Sequence, residues 1–293
     1  MRALSRAVVR ALPPGRRTDL LHGVRFGQPA HPALVRLPLG CWTSAVLLDW
    51  FGGRGRDAER ASATLIAAGV ATALPAAAAG LADWSALHQN QQRVGLVHAI
   101  SQGGATLLFG CSLLARATGR RRNGMALAVG GLATATAGAY LGGYLALRLG
   151  AGTSHAESIG HLAAIGWQDL CPLAELPEGR PARRQLGYLS LLAVRAGQSV
   201  SVLSDQCSHL GGPLHQGRVV MDRANACVVC PWHGSTFRLS DGTVRRGPAT
   251  ARQPTFEARV SDSGVVQVRP LQASTAAGTA TARPRRPFRS AAG

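Results

Sequence analysis

The first half of the chain contains long apolar segments that carry few charges. Four such segments occur, at residues 33–51, 61–82, 94–115 and 124–147. Each is close to the roughly 20 residues that a helix needs to cross the hydrocarbon core of a bilayer. The last three are rich in Gly and Ala, which lets helix backbones approach closely in lipid. The pattern predicts a bundle of four transmembrane helices.

The first of these segments is the least regular. Arg36 and Asp49 shorten its uncharged stretch, although both lie near its ends, where a side chain can reach the interface. A re-entrant segment is the alternative for this stretch, and a soluble helical core is the alternative for the whole half. Three long runs nearly free of charge are unusual in a soluble domain, so the length criterion favours membrane insertion.

The hydrophobic pattern changes at Trp167 to short β-rich runs separated by Gly, Pro and Asp. The runs lie at residues 190–194, 199–204, 226–229, 256–260 and 265–268. Such spacing predicts a small antiparallel β domain that ends near Leu271.

These changes in pattern divide the chain into five parts. They are a basic tail that needs no fold, a four-helix transmembrane domain, a connector, the β domain and a disordered tail, at residues 1–30, 31–150, 151–166, 167–271 and 272–293. No internal repeat of fixed period is evident, and the runs of small residues in the helices are interpreted as composition bias.

The composition adds a strong positive charge. The formal net charge is +18 at pH 7, and it comes from arginine because the sequence contains no lysine. They lie in the N-terminal tail, beside the apolar segments and in the last residues, which is typical of a protein that faces lipid. Nucleic acid is not an expected partner, because no aromatic-interleaved basic surface or zinc-finger spacing occurs. We expect an integral membrane protein, in a bacterial cell membrane, with the side of the β domain undecided.

Two short loops in the second half combine cysteine, histidine and glycine. They read Cys207-Ser208-His209-Leu210-Gly211-Gly212 and Cys230-Pro231-Trp232-His233-Gly234-Ser235. A two-iron cluster of mixed ligation needs two thiolates on one iron and two imidazoles on the other, and each loop supplies one of each. The loops closely resemble those of the Rieske ferredoxin family. The resemblance implies a [2Fe–2S] cluster with the ligands Cys207, His209, Cys230 and His233.

The resemblance also assigns roles to residues beside the ligands. Glycines let the backbone approach the inorganic sulfides and donate N–H groups to them, and a serine hydroxyl can hydrogen-bond a sulfur atom. A proline-containing loop, here Gly247-Pro248-Ala249, covers the cluster. The residues expected around the cluster are Gly211, Gly212, Gly234, Ser235 and Pro248.

Cys227 lies three residues before Cys230 and is not expected to be a ligand. An odd separation on a strand points two side chains to opposite faces, so Cys227 is interpreted as a buried thiol. The respiratory subtype has a further cysteine in each loop, and Gly212 and Trp232 occupy those places. We therefore expect a reduction potential in the lower part of the Rieske span of about −150 to +300 mV.

The resemblance implies a carrier that passes one electron at a time. The expected partner is a reductase, an oxygenase or a quinone-linked protein. A ring-hydroxylating oxygenase would need a mononuclear iron, held by two histidines and a carboxylate in a large domain after the β domain, and only a short tail follows here. Whether the chain acts as an enzyme stays open. The alternatives are an iron–sulfur redox sensor and a zinc-bound structural or interaction domain, since the bare ligand set also permits zinc.

The helical half resembles an uncharacterised family of four-helix bacterial membrane domains. The resemblance rests on His31-Pro32, Gly80-Leu81-Ala82-Asp83 and Tyr140-Leu141-Gly142-Gly143, and it implies no known activity. Helix parity would place several titratable groups on the side of the bilayer where the β domain lies, and such groups are often functional. They predict a second site, for haem b or a quinone, at His31, Asp83, His88 and His98. The alternative is polar residues that only bond within the bundle or at the interface.

Overall fold

The chain divides into two units, Met1–Thr153 and Ser154–Gly293. The structure is a computed structural model that describes residues 1–53, 55–162 and 165–271. The first unit is helical, and the second is built mainly of β-strands. The predicted disordered tail, 272–293, lies outside the described residues.

The helical unit is made of two packed pairs of helices preceded by three shorter ones. The helices are α1 (Arg2–Ala11), α2 (Arg16–His22), α3 (Ala30–Leu34), α4 (Arg36–Phe51), α5 (Arg56–Ser85), α6 (Gln89–Ala117) and α7 (Arg121–Gly143), and a π-helical segment, Tyr144–Arg148, continues α7. Helix α4 packs mainly against α5, and α6 packs mainly against α7. Small residues such as Gly69 and Ala76 on α5 and Gly131 and Ala135 on α7 are among the buried residues of these pairs.

Three helices in the described part of the chain are long and apolar enough to cross a membrane, namely α5, α6 and α7 with its continuation to Arg148. The predicted count of four is not confirmed. The first predicted span, 33–51, is divided between the end of α3 and the 16-residue α4. A helix of that length reaches only about 24 Å, short of the roughly 30 Å of a hydrocarbon core.

The N-terminal segment, predicted to be a tail that needs no fold, is helical and packs against α5. The Ser5 hydroxyl donates to the carbonyl oxygen of Ser85 at 2.9 Å, and His22 Nδ1 lies 2.7 Å from Asp83 Oδ1. Thr18 and His22 are buried. The segment is therefore folded and not a tail, because side chains of α1 and α2 bond to the end of α5, a long-range contact that the local sequence does not show.

The second unit contains two antiparallel sheets, which confirms the predicted antiparallel β domain. Its strands are β1 (Gln168–Pro172), β2 (Pro181–Leu186), β3 (Leu189–Ala196), β4 (Ser199–Ser204), β5 (Arg218–Asp222), β6 (Asn225–Val229), β7 (Thr236–Arg238), β8 (Val244–Arg246), β9 (Thr255–Val260) and β10 (Val265–Pro270). The six-stranded sheet has the order β1-β10-β9-β4-β3-β2, and the four-stranded sheet has the order β5-β6-β7-β8.

Strand β3 links the two apolar cores of this unit. Leu191 and Ala193 face one core, and Leu192 and Val194 face the other, because successive side chains on a strand point to opposite sides. The first core also receives Ile159 from the short helix α8 (Ile159–Leu162), so part of the predicted connector belongs to the β unit. The second core contains Cys207 and Cys230, which seats both cysteine loops on packed side chains.

Candidate metal centre

The two cysteine–histidine loops, 207–212 and 230–235, have the same backbone shape. In each, the cysteine N–H donates to the carbonyl oxygen of the residue five positions later, and the cysteine carbonyl accepts from the N–H four positions later, at 2.8–3.1 Å. Loop 207–212 follows β4, and loop 230–235 follows β6. Each loop is therefore held by its own hydrogen bonds at the end of a strand.

Glycine is required in these loops for conformation and for space. Gly211 has φ +76° and Gly234 has φ +77°, a left-handed region that other residues occupy only with strain. A Cβ atom added at Gly212 would lie 2.9 Å from Cys230 Sγ and 3.0 Å from Trp232 Cδ2. Gly211 and Gly234 thus allow the turns to form, and Gly212 allows the two loops to approach each other.

The two cysteines bring their sulfur atoms together in the buried core. Cys207 is 1% exposed and Cys230 is 3% exposed. The hydrogen bond between their thiols raises the pKa of Cys207 and lowers the pKa of Cys230 to about 7. Two thiols in such contact can bind one iron once both protons are lost.

The two histidines form the second half of the site. The ring centroids of His209 and His233 lie 5.1 Å apart with their planes at 89°, and both residues are half-buried. Within the described ranges, no three His, Cys, Asp or Glu side chains are grouped to hold one ion. The donors come as a buried thiol pair and an imidazole pair, which is the arrangement that a two-iron cluster of mixed ligation requires.

A buried glutamine that the sequence analysis missed holds the first loop. Gln253 Nε2 donates to the carbonyl oxygens of Ser204, at 3.0 Å, and Gln206, at 2.6 Å. Its Oε1 accepts from the N–H of Ser208 at 2.9 Å. One side chain thus fixes the backbone on both sides of Cys207, and a single glutamine in a loop gives no sequence signal of this role.

Asp205 gives the same loop a second support, also missed by the sequence analysis. Its Oδ1 accepts from the His215 N–H at 2.8 Å, and its Oδ2 lies 2.7 Å from His215 Nδ1 and accepts from the Ser190 hydroxyl at 3.0 Å. The carboxylate therefore joins the residues before and after the loop to β3.

The proline-containing segment contacts both cysteine loops. Ser235 Oγ accepts from the Ala249 N–H at 3.0 Å, and the Ser208 hydroxyl donates to the carbonyl oxygen of Ala251 at 2.9 Å. The Gly247–Pro248 peptide bond is cis. The Ser235 oxygen acts here as an acceptor, so its hydroxyl hydrogen is left for another partner, and the expected bond from this hydroxyl to a sulfur atom stays a prediction.

Cys227 and Trp232, two residues in or near the second loop, differ in burial. Cys227 is fully buried, its burial raises its thiol pKa, and its Sγ contacts the carbonyl oxygen of Asn225 at 3.6 Å. Its neighbour Val228, and not Cys227 itself, packs in the core that contains Cys230. Trp232 is 48% exposed, and its ring lies 6.4 Å from the ring of His233.

The four residues predicted for a second site do not come together as a group. Asp83 binds His22, and His88 caps α6, where its N–H donates to Gln91 Oε1 at 3.0 Å. His31 and His98 do meet, with ring centroids 6.0 Å apart and planes at 88°.

The comparison with known families identifies both units. Residues 166–257 match the Rieske [2Fe-2S] domain, and residues 27–155 match the family described as predicted membrane protein (DUF2231). The chain therefore belongs to the Rieske family through its β domain, and this domain carries a [2Fe–2S] cluster by definition of the family. The unit before it is a predicted membrane domain.

Individual relatives point to ferredoxins. The ferredoxin subunit of 3-phenylpropionate/cinnamic acid dioxygenase from Shigella boydii is 30% identical over 95 residues, which are 32% of this chain and 86% of that protein. Apoptosis-inducing factor 3 from Mus musculus is 29% identical over 33% of this chain, but the match spans only 15% of that protein. The ferredoxin of carbazole 1,9a-dioxygenase from Nocardioides aromaticivorans is 23% identical with a TM-score of 0.33, over 36% of this chain and 97% of that one. The β domain is thus homologous to dioxygenase ferredoxins.

Proposed function

We propose that this protein is a membrane-anchored one-electron carrier whose cluster is held by Cys207, His209, Cys230 and His233. The observation that carries the proposal is the pairing of the donors, with two buried thiols on one side and two half-buried imidazoles on the other. When bound, the cluster takes up and releases one electron. The three apolar helices and the membrane-protein match support the anchor.

The side chains around the donors keep the site rigid. Gln253 and Asp205 fix the backbone on both sides of the first loop, and Ser235 joins the second loop to the proline-containing segment. Rigid ligands favour fast electron transfer, because little has to move when the charge of the site changes. His209 and His233 lie nearer the surface than the cysteines and offer a partner the shorter route.

The partner of such a carrier is a protein that docks over the histidines. Pro231 and Trp232 are exposed beside His233, and an exposed tryptophan is a common anchor at a protein interface. The dioxygenase ferredoxin subunits among the relatives support a reductase or oxygenase component as the partner, and the membrane anchor supports a quinone-linked one.

The experiment uses the full-length protein in detergent with an artificial electron donor and acceptor. We expect two irons and two acid-labile sulfides per chain, a paramagnetic signal on reduction, and catalytic shuttling of electrons between donor and acceptor. Trp232→Ala should slow transfer to a large protein acceptor while the cluster signal is unchanged. Tyr188→Ala is the matched control, because Tyr188 is 75% exposed elsewhere on the same unit.

The same measurements separate the alternatives. Stoichiometric zinc without labile sulfide would establish a structural zinc domain and contradict the carrier. A cluster that changes redox state but passes no electrons on would instead indicate a sensor. Alkaline extraction of membranes tests the anchor, since an integral protein stays in the pellet.

A further inference from the structure

The two helix pairs of the first unit make equivalent contacts. Asp49 on α4 binds Arg116 on α6, and the two residues are 67 positions apart. The same separation relates Trp42 to Phe109, whose rings stack at 4.4 Å, and His31 to His98, whose rings meet at 6.0 Å. In all three cases a residue contacts its own equivalent.

The glycines beneath these rings repeat in the same way. A Cβ atom on Gly69 or Gly80 of α5 would collide with Trp42 or His31, respectively. Their equivalents on α7 are Gly131, where a Cβ would lie 3.0 Å from Phe109, and Gly142, where it would lie 3.1 Å from His98. Each ring therefore lies against a glycine of its partner helix, in two layers roughly three helical turns apart.

Contacts between equivalent residues are the mark of a two-fold axis, where the same surface meets itself. The helical unit is therefore an internal repeat, with the ion pair, the aromatic stack and the histidine pair placed along its axis. The repeat has no fixed period in the sequence because its connections differ in length. The hydroxyl of Ser62 donates to the carbonyl oxygen of Ala45, 17 positions away. The equivalent positions, Gly124 and Ser112, are joined by a hydrogen bond in the opposite direction and are 12 positions apart, so no single period exists.

The orientation of the histidine pair leaves one nitrogen of each ring available to a shared metal ion. His31 Nδ1 lies 2.8 Å from the carbonyl oxygen of Ala76, and His98 Nδ1 lies 2.7 Å from that of Gly138, the equivalent residue. A carbonyl only accepts, so each Nδ1 carries the hydrogen, and in the neutral ring Nε2 keeps its lone pair. Metal-binding histidines are commonly fixed by such a bond. Among the described residues, neither Nε2 has a hydrogen-bond partner.

The spacing of the rings distinguishes this pair from the pair in the β unit. His209 and His233, the proposed ligands of a single iron, have centroids 5.1 Å apart. The His31–His98 separation is 6.0 Å. Imidazoles on opposite sides of one metal ion would have ring centres about 6.2 Å apart, from two metal–nitrogen bonds of about 2.0 Å and about 1.1 Å from each nitrogen to its ring centre. The wider pair is therefore close to the opposed arrangement.

We propose that His31 and His98 are the two axial ligands of one haem iron on the two-fold axis. The described residues add no third His, Cys, Asp or Glu side chain to the pair, whereas a zinc ion in a structural site takes four ligands. A haem iron receives four nitrogens from its own macrocycle and needs only the two imidazoles from the protein. The apolar macrocycle of a haem also suits the space between apolar helices. No residue of the β domain takes part.

The test uses the full-length protein, expressed with a haem precursor and purified in detergent. We expect one haem b per chain and a low-spin ferric spectrum. Because the ring planes lie at 88°, the ferric iron should give the highly anisotropic electron paramagnetic resonance signal of perpendicular imidazoles. This signal is distinct from that of the reduced cluster, so a missing cluster and a missing haem are scored separately.

Variants then assign the ligands. His31→Ala and His98→Ala should each lose the low-spin signal, and His98→Met should keep haem with an altered spectrum. His22→Ala is the matched control, because His22 is another buried histidine of the same unit. Absence of haem after reconstitution with haemin, binding of copper or zinc instead, or an unaltered spectrum in both alanine variants would each overturn the proposal.

Discussion

The two histidine pairs of this protein are built by opposite means. His209 and His233 lie in loops that close with their own hydrogen bonds, and one glutamine secures the first loop. His31 lies on α3 and is oriented by the backbone of α5, and His98 lies on α6 and is oriented by the backbone of α7. The first arrangement is encoded in short motifs, whereas the second depends on how four helices pack. A substitution in a cysteine–histidine loop should therefore act locally, whereas a substitution in the helical unit should affect several helices.

The largest expected effect is loss of the cluster. His209→Ala or His233→Ala should abolish its visible absorption and the signal of the reduced state, because an imidazole ligand to iron is removed. Iron and labile-sulfide analysis checks the loss, and the helical circular dichroism should not change. Cys227→Ala is the control that should retain the cluster, since Cys227 packs away from Cys230. Loss of the cluster in that control would contradict the strand geometry.

The next effect concerns the ion pair on the axis of the helical unit. Asp49→Ala should cost about 3–5 kcal/mol of unfolding free energy, because it leaves the Arg116 guanidinium buried without its partner. Unfolding in mixed detergent, followed by circular dichroism, measures the loss. The double variant Asp49→Arg, Arg116→Asp should recover part of it, because opposite charges are paired again at equivalent positions. Recovery should be incomplete, because Gly124 leaves room for the Arg116 side chain and its equivalent is Ser62. A double variant as unstable as the single one would refute this equivalence.

A smaller effect should separate two neighbouring glycines of α7. Gly131→Ala should cost about 1–3 kcal/mol, because the new methyl would meet the Phe109 ring at 3.0 Å. Gly130 has no atom within 4 Å of such a methyl, so Gly130→Ala should be neutral or stabilise the helix by about 0.5–1 kcal/mol. Thermal melting of both variants in one detergent compares them. Equal melting temperatures would show that the ring does not rest on Gly131.

The smallest effect is expected at the surface of the β unit. Arg245 Nε donates to Asp222 Oδ2 at 2.8 Å and holds the pKa of that carboxyl below its usual value. A lowered folded-state pKa means that the stabilisation is present above the unfolded pKa of about 3.9 and is lost as the pH falls through the folded value. Arg245→Gln should therefore lower the melting temperature slightly at pH 7 and by less at pH 3. An equal loss at both pH values would point to packing instead of charge.

The parts of the fold that depend on local pattern could be predicted from the sequence. The cysteine–histidine loops, the β character after Trp167 and the three long helices all follow from motif spacing or apolar length. The ends of the helices were harder to predict, because an apolar run such as 61–82 covers only the apolar part of α5 and not its polar ends.

The parts that depend on long-range contact could not be predicted in this way. Gln253 and Asp205 act through hydrogen bonds to backbone groups that only the folded loops bring near. His31 and His98 both belonged to the larger group predicted as a second site. Asp83 of that group instead binds His22, which lies in the segment that was expected to be unfolded. The internal repeat gives no fixed period because its connections differ in length, although Gly69-Val70-Ala71-Thr72-Ala73 on α5 is nearly identical to Gly131-Leu132-Ala133-Thr134-Ala135 on α7.

The ion pair between Asp49 and Arg116 shows what covalent duplication of the helix pair permits. In a dimer of identical chains, a residue on the two-fold axis meets a copy of itself, so an aspartate there would face another aspartate. Joining both halves in one chain removes that restriction, because each half has its own codon for the position. Opposite charges can then occupy equivalent places, as Asp49 and Arg116 do. Two histidines can still face each other where identical groups are useful.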